Sequence, residues 1–219
     1  MVIEWLGQAC LKVQTKPGPG DDVTVLFDPF DPAKVGFKLP KVTADVVAIT
    51  HDHADHNNVS GVSGEPFVIQ GPGEYEVKQT FFYGIPGFHD NSQGSERGLN
   101  TIYLMESEGL SVAHLGDFGQ AELTPAQLES LEGVDILVIP VGGVYTIDGK
   151  QAAALVGELE PRIVIPIHYK VPGFNNDSKL ETVEKFIHEL GLKAEPVEKF
   201  KVSKKDLPQE ETKLVLLTP

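Results

Sequence analysis

The sequence predicts an α/β protein in which mixed β-sheets are covered by helices. Two observations carry this. Short apolar runs rich in β-branched residues recur from end to end, separated by turn residues. Helical patterns are fewer and fall mostly in the second half.

Taken in order, the strand runs are Val2 to Leu6, Ala9 to Gln14, Val23 to Phe27 and Val46 to Thr50. Pro66 to Gln70, Tyr75 to Phe82, Asn100 to Glu106 and Leu110 to His114 follow. Val134 to Ile139, Arg162 to Ile167 and Lys213 to Leu217 complete the set. PGPGDD (17–22), GPGE (71–74) and EG (108–109) are the clearest breaks. Thr124-Pro125 reads as an N-cap with proline in the first helical position, opening AQLESL. Ala152 to Leu159 predicts a short alanine-rich helix. Ser178 opens a third, with Ser178 and Glu181 at capping-box spacing and Gly191 as its stop. Leu180, Val183, Phe186, Ile187 and Leu190 trace its apolar face.

The 219 residues suit one domain spanning 1–219, and 41% hydrophobic content supplies a core. The formal charge of −14, from 32 acidic against 18 basic residues, argues against a long anionic polymer such as nucleic acid as the partner. The one basic cluster, Lys199 to Lys205, reads as a solvated strand edge. A single cysteine, Cys10, rules out an internal disulfide and reads as a small core hydrophobe. The chain opens directly into a strand pattern, without a basic start or a long apolar run. The expectation is a cytoplasmic protein with no membrane partner.

Chemistry concentrates in the histidines. Six of the seven (51, 53, 56, 89, 114 and 168) sit at or just past the carboxyl end of a predicted strand, where open α/β sheets place ligands. His188 lies within a predicted helix and reads as structural or solvent-exposed. The segment His51-Asp52-His53-Ala54-Asp55-His56 directly follows the strand DVVAI. His51 and His53, two apart in extended chain, can point to the same side. Asp55 and His56 fall where the chain should turn into a helix and aim at a neighbouring position. So many imidazoles at a strand end are costly to bury without an ion. Mixed nitrogen and oxygen ligands suit zinc first, with iron, manganese or nickel as chemical competitors.

HDHADH resembles the HxHxDH signature of the metallo-β-lactamase superfamily, and the other motifs of that superfamily follow in order. Asp28 in DPF resembles the aspartate that braces the metal loop, and His89 in GFHD resembles the third-motif ligand. Asp117 in HLGD resembles the bridging aspartate, and His168 after IVIPI resembles the last histidine ligand. The resemblance spans about residues 3 to 170. It implies a four-layer αββα sandwich of two mixed sheets flanked by helices. It also implies two divalent metal ions, one held by His51, His53 and His89, the other by Asp55, His56 and His168. Asp117 would be shared, and a hydroxide between the ions would be the nucleophile. Asp55 and Asp117 then take catalytic roles, and His114 is expected to hydrogen-bond a ligand or the substrate.

WLGQAC, DPF, GPGEYEV, RGLNTIY, AHLGD and PVGG together are similar to small metal-dependent hydrolases near the L-ascorbate-6-phosphate lactonase branch. Many such relatives carry histidine where this chain has Gln8. The expected activity is hydrolysis of an ester-type bond, a lactone or phosphodiester, in a small anionic molecule. The alternatives are a mononuclear iron sulfur dioxygenase and a nuclease of the same fold. Tyr169, Lys170, Arg97 and Glu74 are further candidates for substrate contact, each with ordinary loop chemistry as the competing reading. Asn175 to Asp177 read as a turn. The pattern leaves room for a homo-oligomer.

Overall fold

A computed structural model of the protein describes residues 1–20, 22–172 and 179–219. The first sheet begins with the antiparallel strands β1 (Val2–Gly7), β2 (Cys10–Thr15) and β3 (Val23–Phe27). It continues in parallel through β4 (Val46–Ile49) and β5 (Phe67–Gln70). The chain then enters a second sheet. There β6 (Gly73–Val77), β7 (Thr80–Phe88), β8 (Leu99–Ser107) and β9 (Leu110–His114) run antiparallel. Strands β10 (Ile136–Pro140) and β11 (Ile163–Ile167) extend it in parallel. Near the C-terminus come β12 (Pro196–Val197), β13 (Phe200–Lys201), β14 (Lys213–Leu214) and β15 (Leu216–Leu217). The sheet orders are β13-β1-β2-β3-β4-β5 and β14-β11-β10-β9-β8-β7-β6, with β12 and β15 as a separate pair. Both large sheets are therefore mixed.

The packing follows from side-chain period. In β1, Ile3, Trp5 and Gly7 are buried while their neighbours are half-exposed, the alternation of a strand with one covered face. Strands β10 and β11 are buried at every residue, because the second sheet is covered on both sides there. The main core contains Trp5, Phe27, Phe82 and Tyr103, all under 2% exposed. A smaller core around Leu26, Phe30, Val35, Phe37 and Val47 lies under α1 (Pro32–Val35) and the loop after it.

On the second sheet, α2 (Pro125–Leu131) carries a full capping box between Thr124 and Gln127. Helix α3 (Gly149–Leu159) has one between Asp148 and Gln151. Helix α4 (Val183–Leu190) packs its Val183 and Phe186 inward and stops at Gly191.

Three local expectations fail. The run 75–82 is two strands: Lys78 and Gln79 both adopt positive φ (50° and 60°) and form a two-residue hairpin turn without glycine or asparagine to advertise it. Helix α4 starts four residues later than its capping pattern suggests, at Val183 behind Thr182. Glu181 is instead tied to loops, its N–H donating to Gly142 O and its carbonyl accepting from Lys170 N. Ser178, like Asn175 to Asp177, lies outside the described residues. Finally, no α-helix follows His56, only turns and a 3₁₀ turn at Val59–Gly61. Lys199 pairs with Glu4 at 3.0 Å and Lys204 with Asp135 at 2.9 Å, and β13 lies at a sheet edge, as expected of that basic cluster.

Candidate metal centre

Strands β3, β4, β7, β9 and β11 all end on the same rim, and the loops leaving them carry the histidine and aspartate side chains. Three of the residues there, Gln8 (φ 52°), Asp28 (φ 45°) and His168 (φ 51°), are non-glycine residues in left-handed backbone. Such conformations persist only where surrounding contacts enforce them, and they cluster at functional sites. The contacts are visible. Asp28 N donates to Ala48 O at 3.0 Å, and His168 N to Gln8 O at 3.0 Å. Two glycines permit the tight approach of the other loops. A Cβ at Gly119 would lie 2.4 Å from the His89 carbonyl, and one at Gly142 would lie 2.2 Å from His168 O.

The seven ligand candidates converge as two groups. One is His51, His53 and His89; the other is Asp55, His56, Asp117 and His168, with ligand atoms in each within 4.8 Å of one another. Asp117 ties the groups together. Its Oδ2 lies 3.2 Å from His56 Nε2, 3.3 Å from His168 Nε2 and 3.3 Å from His89 Nε2. Imidazole rings pack closely around His51, with centroids 4.1 Å from His56, 4.5 Å from His53 and 4.7 Å from His89.

The orientation of these rings is fixed from behind. Asp28, fully buried, accepts from Thr50 N and Thr50 Oγ1 at 2.8 Å each and contacts His56 Nδ1 at 2.9 Å. Thr50 Oγ1 also reaches His51 Nδ1 at 3.0 Å. Both rings thereby keep Nε2 for the cluster. Asn100 braces the opposite loop, accepting from Asp117 N at 3.1 Å and donating to Leu115 O at 2.9 Å. Gln8 Nε2 donates to Asp55 Oδ2 at 3.1 Å and lies 2.8 Å from His168 Nε2.

Two observations bear on whether these residues fit a metal. First, buried polar atoms without a hydrogen-bond partner are rare, yet five gather here among the described residues: His51 Nε2, His56 Nε2, His89 Nδ1, His168 Nδ1 and Asp117 Oδ1. Second, the electrostatics demand positive charge. Burial disfavours protonating His56, yet Asp117 and Asp28 outweigh it and raise that imidazole well above its ordinary range. His168 is raised in the same way, burial being overcome by Asp117. His51 is pushed down to about 3, burial and the neighbouring His56 outweighing Asp117 and Asp28. Divalent cations would meet the same demand without protons, and the donor set of imidazoles and carboxylates suits them. The residues fit.

His114 departs from expectation. Completely buried, it accepts from Gly116 N at Nδ1 (3.1 Å), contacts Ala9 O through Nε2 (2.9 Å) and stacks on Phe27 at 4.9 Å. Both nitrogens are spent on backbone, so it fixes the loop leading to Asp117. Tyr169 is likewise core, 6% exposed and packed 4.8 Å from the Trp5 ring. Glu74 lies in β6 beside an apolar groove on the outer face of the sheet, away from the cluster. Arg97 does reach the site. A cleft of about 320 Å³ is lined by His53, Asp55, His89, Glu96, Arg97, Asp117, Tyr145 and His168. Asn100, Tyr145 and Asp90, which organises the Arg97 loop, were not singled out by the sequence pattern. The one signal that points to Asn100 is an amide inside the otherwise apolar strand LNTIY.

Two facing mixed sheets with a histidine–aspartate cluster on one shared rim define a metal-binding α/β sandwich. A model of the beta-lactamase superfamily domain matches residues 2–168, and the chain belongs to the metallo-β-lactamase superfamily. It is 28% identical to a metal-dependent hydrolase of Methanopyrus kandleri over 90% of this chain and 96% of that one. It is 27% identical to another of Thermococcus kodakarensis, over 89% and 94%. Among solved structures, a Thermotoga maritima protein described as a Zn-dependent hydrolase of the superfamily superposes with a TM-score of 0.77. Its identity is 34%, with 99% of this chain and 97% of that one covered. An isothiocyanate hydrolase from Delia radicum gut bacteria shares the fold alone, with TM-score 0.62, 15% identity and coverage of 86% and 91%.

Proposed function

We propose that the chain is a dinuclear metal-dependent hydrolase that cleaves an ester-type bond, a lactone or phosphodiester, in a small anionic substrate. The observation that carries this reading is the position of Asp117 Oδ2, within 3.3 Å of imidazole nitrogens from both ligand groups. One carboxylate so placed would be shared by two ions. His51, His53 and His89 would hold the first and Asp55, His56 and His168 the second. When bound, the pair would lower the pKa of an intervening water and polarise the scissile carbonyl or phosphoryl group.

The chain's own residues supply the rest. Asp28 and Thr50 keep His56 and His51 in the tautomer that leaves Nε2 for the cluster, which removes a reorganisation cost from each turnover. Asp117 is held as a carboxylate by His168 and His56, which outweigh its burial. Asp55, half-exposed at the cleft, is placed to take the proton lost by an attacking water and return it to the leaving group. Its Oδ2 is steadied by Gln8, an amide that cannot itself take up that proton. His114 holds the Gly116–Asp117 turn in position.

The test is metal analysis by mass spectrometry on protein purified without added metal or chelator, paired with a screen of lactones and phosphodiesters. About two metals per chain and turnover of one ester class is the expected result. A single iron, no hydrolysis and oxygen uptake with a persulfide would replace the hydrolase with a dioxygenase. No metal after reconstitution would end both.

A further inference from the structure

The metal cluster explains how a bond could be broken and says nothing of how a substrate is chosen. The cleft wall opposite the ligands supplies that. Arg97 lines it, half-exposed, with its guanidinium carbon 5.4 Å from the centroid of the Tyr145 ring. Among the described residues Arg97 has no carboxylate within ion-pairing distance, in a chain where acids outnumber bases 32 to 18. The chain's other arginine, Arg162, has no ion pair among the described residues either, but its guanidinium donates to Gln209 O at 2.7 Å. The buried carboxylate of Asp90 accepts from Ser92 N, Gly94 N, Glu96 N and Arg97 N at 2.7 to 3.0 Å. That carboxylate is thus occupied with backbone and fixes where the Arg97 side chain leaves the chain. Glu96 also lines the cleft, with its carboxylate accepting from Ser92 Oγ at 2.8 Å.

Charge decides what can enter. The lining holds three carboxylates, Asp55, Glu96 and Asp117, against one guanidinium, so the protein alone repels an anion. Two divalent ions would turn it net positive and leave Arg97 as the fixed cation farther from the ligands' own coordination. A planar fork of N–H donors backed by an aromatic face matches a carboxylate or phosphate better than a neutral group.

From these features we infer that Arg97, seated on Tyr145, is the docking point for an oxyanion of the substrate, a carboxylate or phosphate borne away from the bond that breaks. Arg97 is therefore a specificity residue. The word substrate rests on the hydrolase reading; the anion site itself does not.

Metal-loaded wild-type protein and the variants R97Q, R97K and K34Q are titrated by calorimetry with glutarate, phenyl phosphate, acetate and the neutral glutaramide. Lys34 is the control because it lines an adjoining cavity with Gln8, Asp55, Tyr145 and His168, one that Arg97 does not line. Metal content is measured on every sample. The expected result is that R97Q weakens glutarate or phenyl phosphate at least tenfold, about 1.4 kcal/mol, with R97K intermediate and K34Q within about twofold. Acetate, small enough to bind the ions alone, and metal content should not change. Whichever dianion loses more in R97Q identifies the oxyanion. Equal affinity of wild type and R97Q for both, no binding of either by wild type, or a loss confined to K34Q would each overturn the inference. Binding that follows this pattern with no ester turned over would keep the anion site and discard the hydrolase.

Discussion

The two rims of the sandwich are both rich in charge, and they handle it in opposite ways. At the rim opposite the histidines, Asp135 accepts from Lys204 Nζ at 2.9 Å, from Ser111 N at 3.0 Å and from Ser111 Oγ at 3.3 Å. Arg162 donates to Gln209 O at 2.7 Å, and Thr212 to Pro161 O at 2.7 Å. These groups are satisfied by one another, and the cavity of about 500 Å³ between them is walled by finished contacts. At the histidine rim, five buried nitrogens and oxygens have no hydrogen-bond partner among the described residues. Leaving such groups unmet costs about 1–3 kcal/mol each, and among the described residues the opposite rim leaves one, Thr80 Oγ1, against five here. Charge alone does not mark the site; unmet charge does.

The largest expected effect breaks this contrast at its centre. Asp117→Ala removes the carboxylate that three imidazoles share. Metal content should fall to a small fraction of wild type and turnover by on the order of a thousandfold. Mass spectrometry and the ester assay read the two together, and an intact metal content would sink the bridging assignment.

Asp28→Ala acts one step further out. It strands Thr50 N, Thr50 Oγ1 and His56 Nδ1 in a fully buried place. Metal affinity should drop about 10- to 100-fold, and urea denaturation should show a loss of about 1–3 kcal/mol. Competition with a chelator measures the first. An unchanged affinity would mean that Asp28 is only a turn residue.

On the finished rim, Asp135→Ala should cost about 1–2 kcal/mol of stability and leave metal content and turnover as they are. A fall in metal content there would show that the two rims are coupled, and the contrast drawn between them would not hold.

How much of this was legible in the sequence follows the same division. The ligand candidates were readable because HDHADH, His89, Asp117 and His168 follow strand ends in the order of the superfamily's motifs. Asp28 was readable for the same reason. Apart from Asp28, what holds those candidates in place was not. His114 looked like a group facing the site because alternation along β9 gives a side and not a partner; its partners, Ala9 O and Gly116 N, come from packing. Gln8, Asn100 and Tyr145 meet the cluster only through tertiary contact, from positions 8 to 145 in the chain. The Lys78-Gln79 hairpin was hidden because its left-handed residues are neither glycine nor asparagine. The late start of α4 was hidden because Glu181 is held by backbone bonds to two distant loops.

A smaller effect is visible only with pH. Burial raises the Asp90 carboxyl, but the N–H groups of Arg97, Ser92, Gly94 and Glu96 outweigh it and hold it at about 2. A folded pKa below the unfolded one means that the charged carboxylate adds stability above the unfolded value, and that this is lost as pH falls toward 2. In metal-free protein, the stability difference between wild type and Asp90→Asn should be constant above about pH 5 and shrink steadily below it. A difference independent of pH down to 2 would mean that the four N–H groups do not favour the charged form.

The smallest effect is the control that sharpens the comparison. His188 is the one histidine away from a strand end, exposed on α4 beyond the buried face made by Val183 and Phe186. A metal affinity that depended simply on histidine number would respond to its loss; one that depends on unmet groups at a single rim would not. His188→Ala should therefore leave metal stoichiometry unchanged and shift stability by no more than about 0.5 kcal/mol. A measurable loss of bound metal would place a ligand on that helix and require a second site outside the rim.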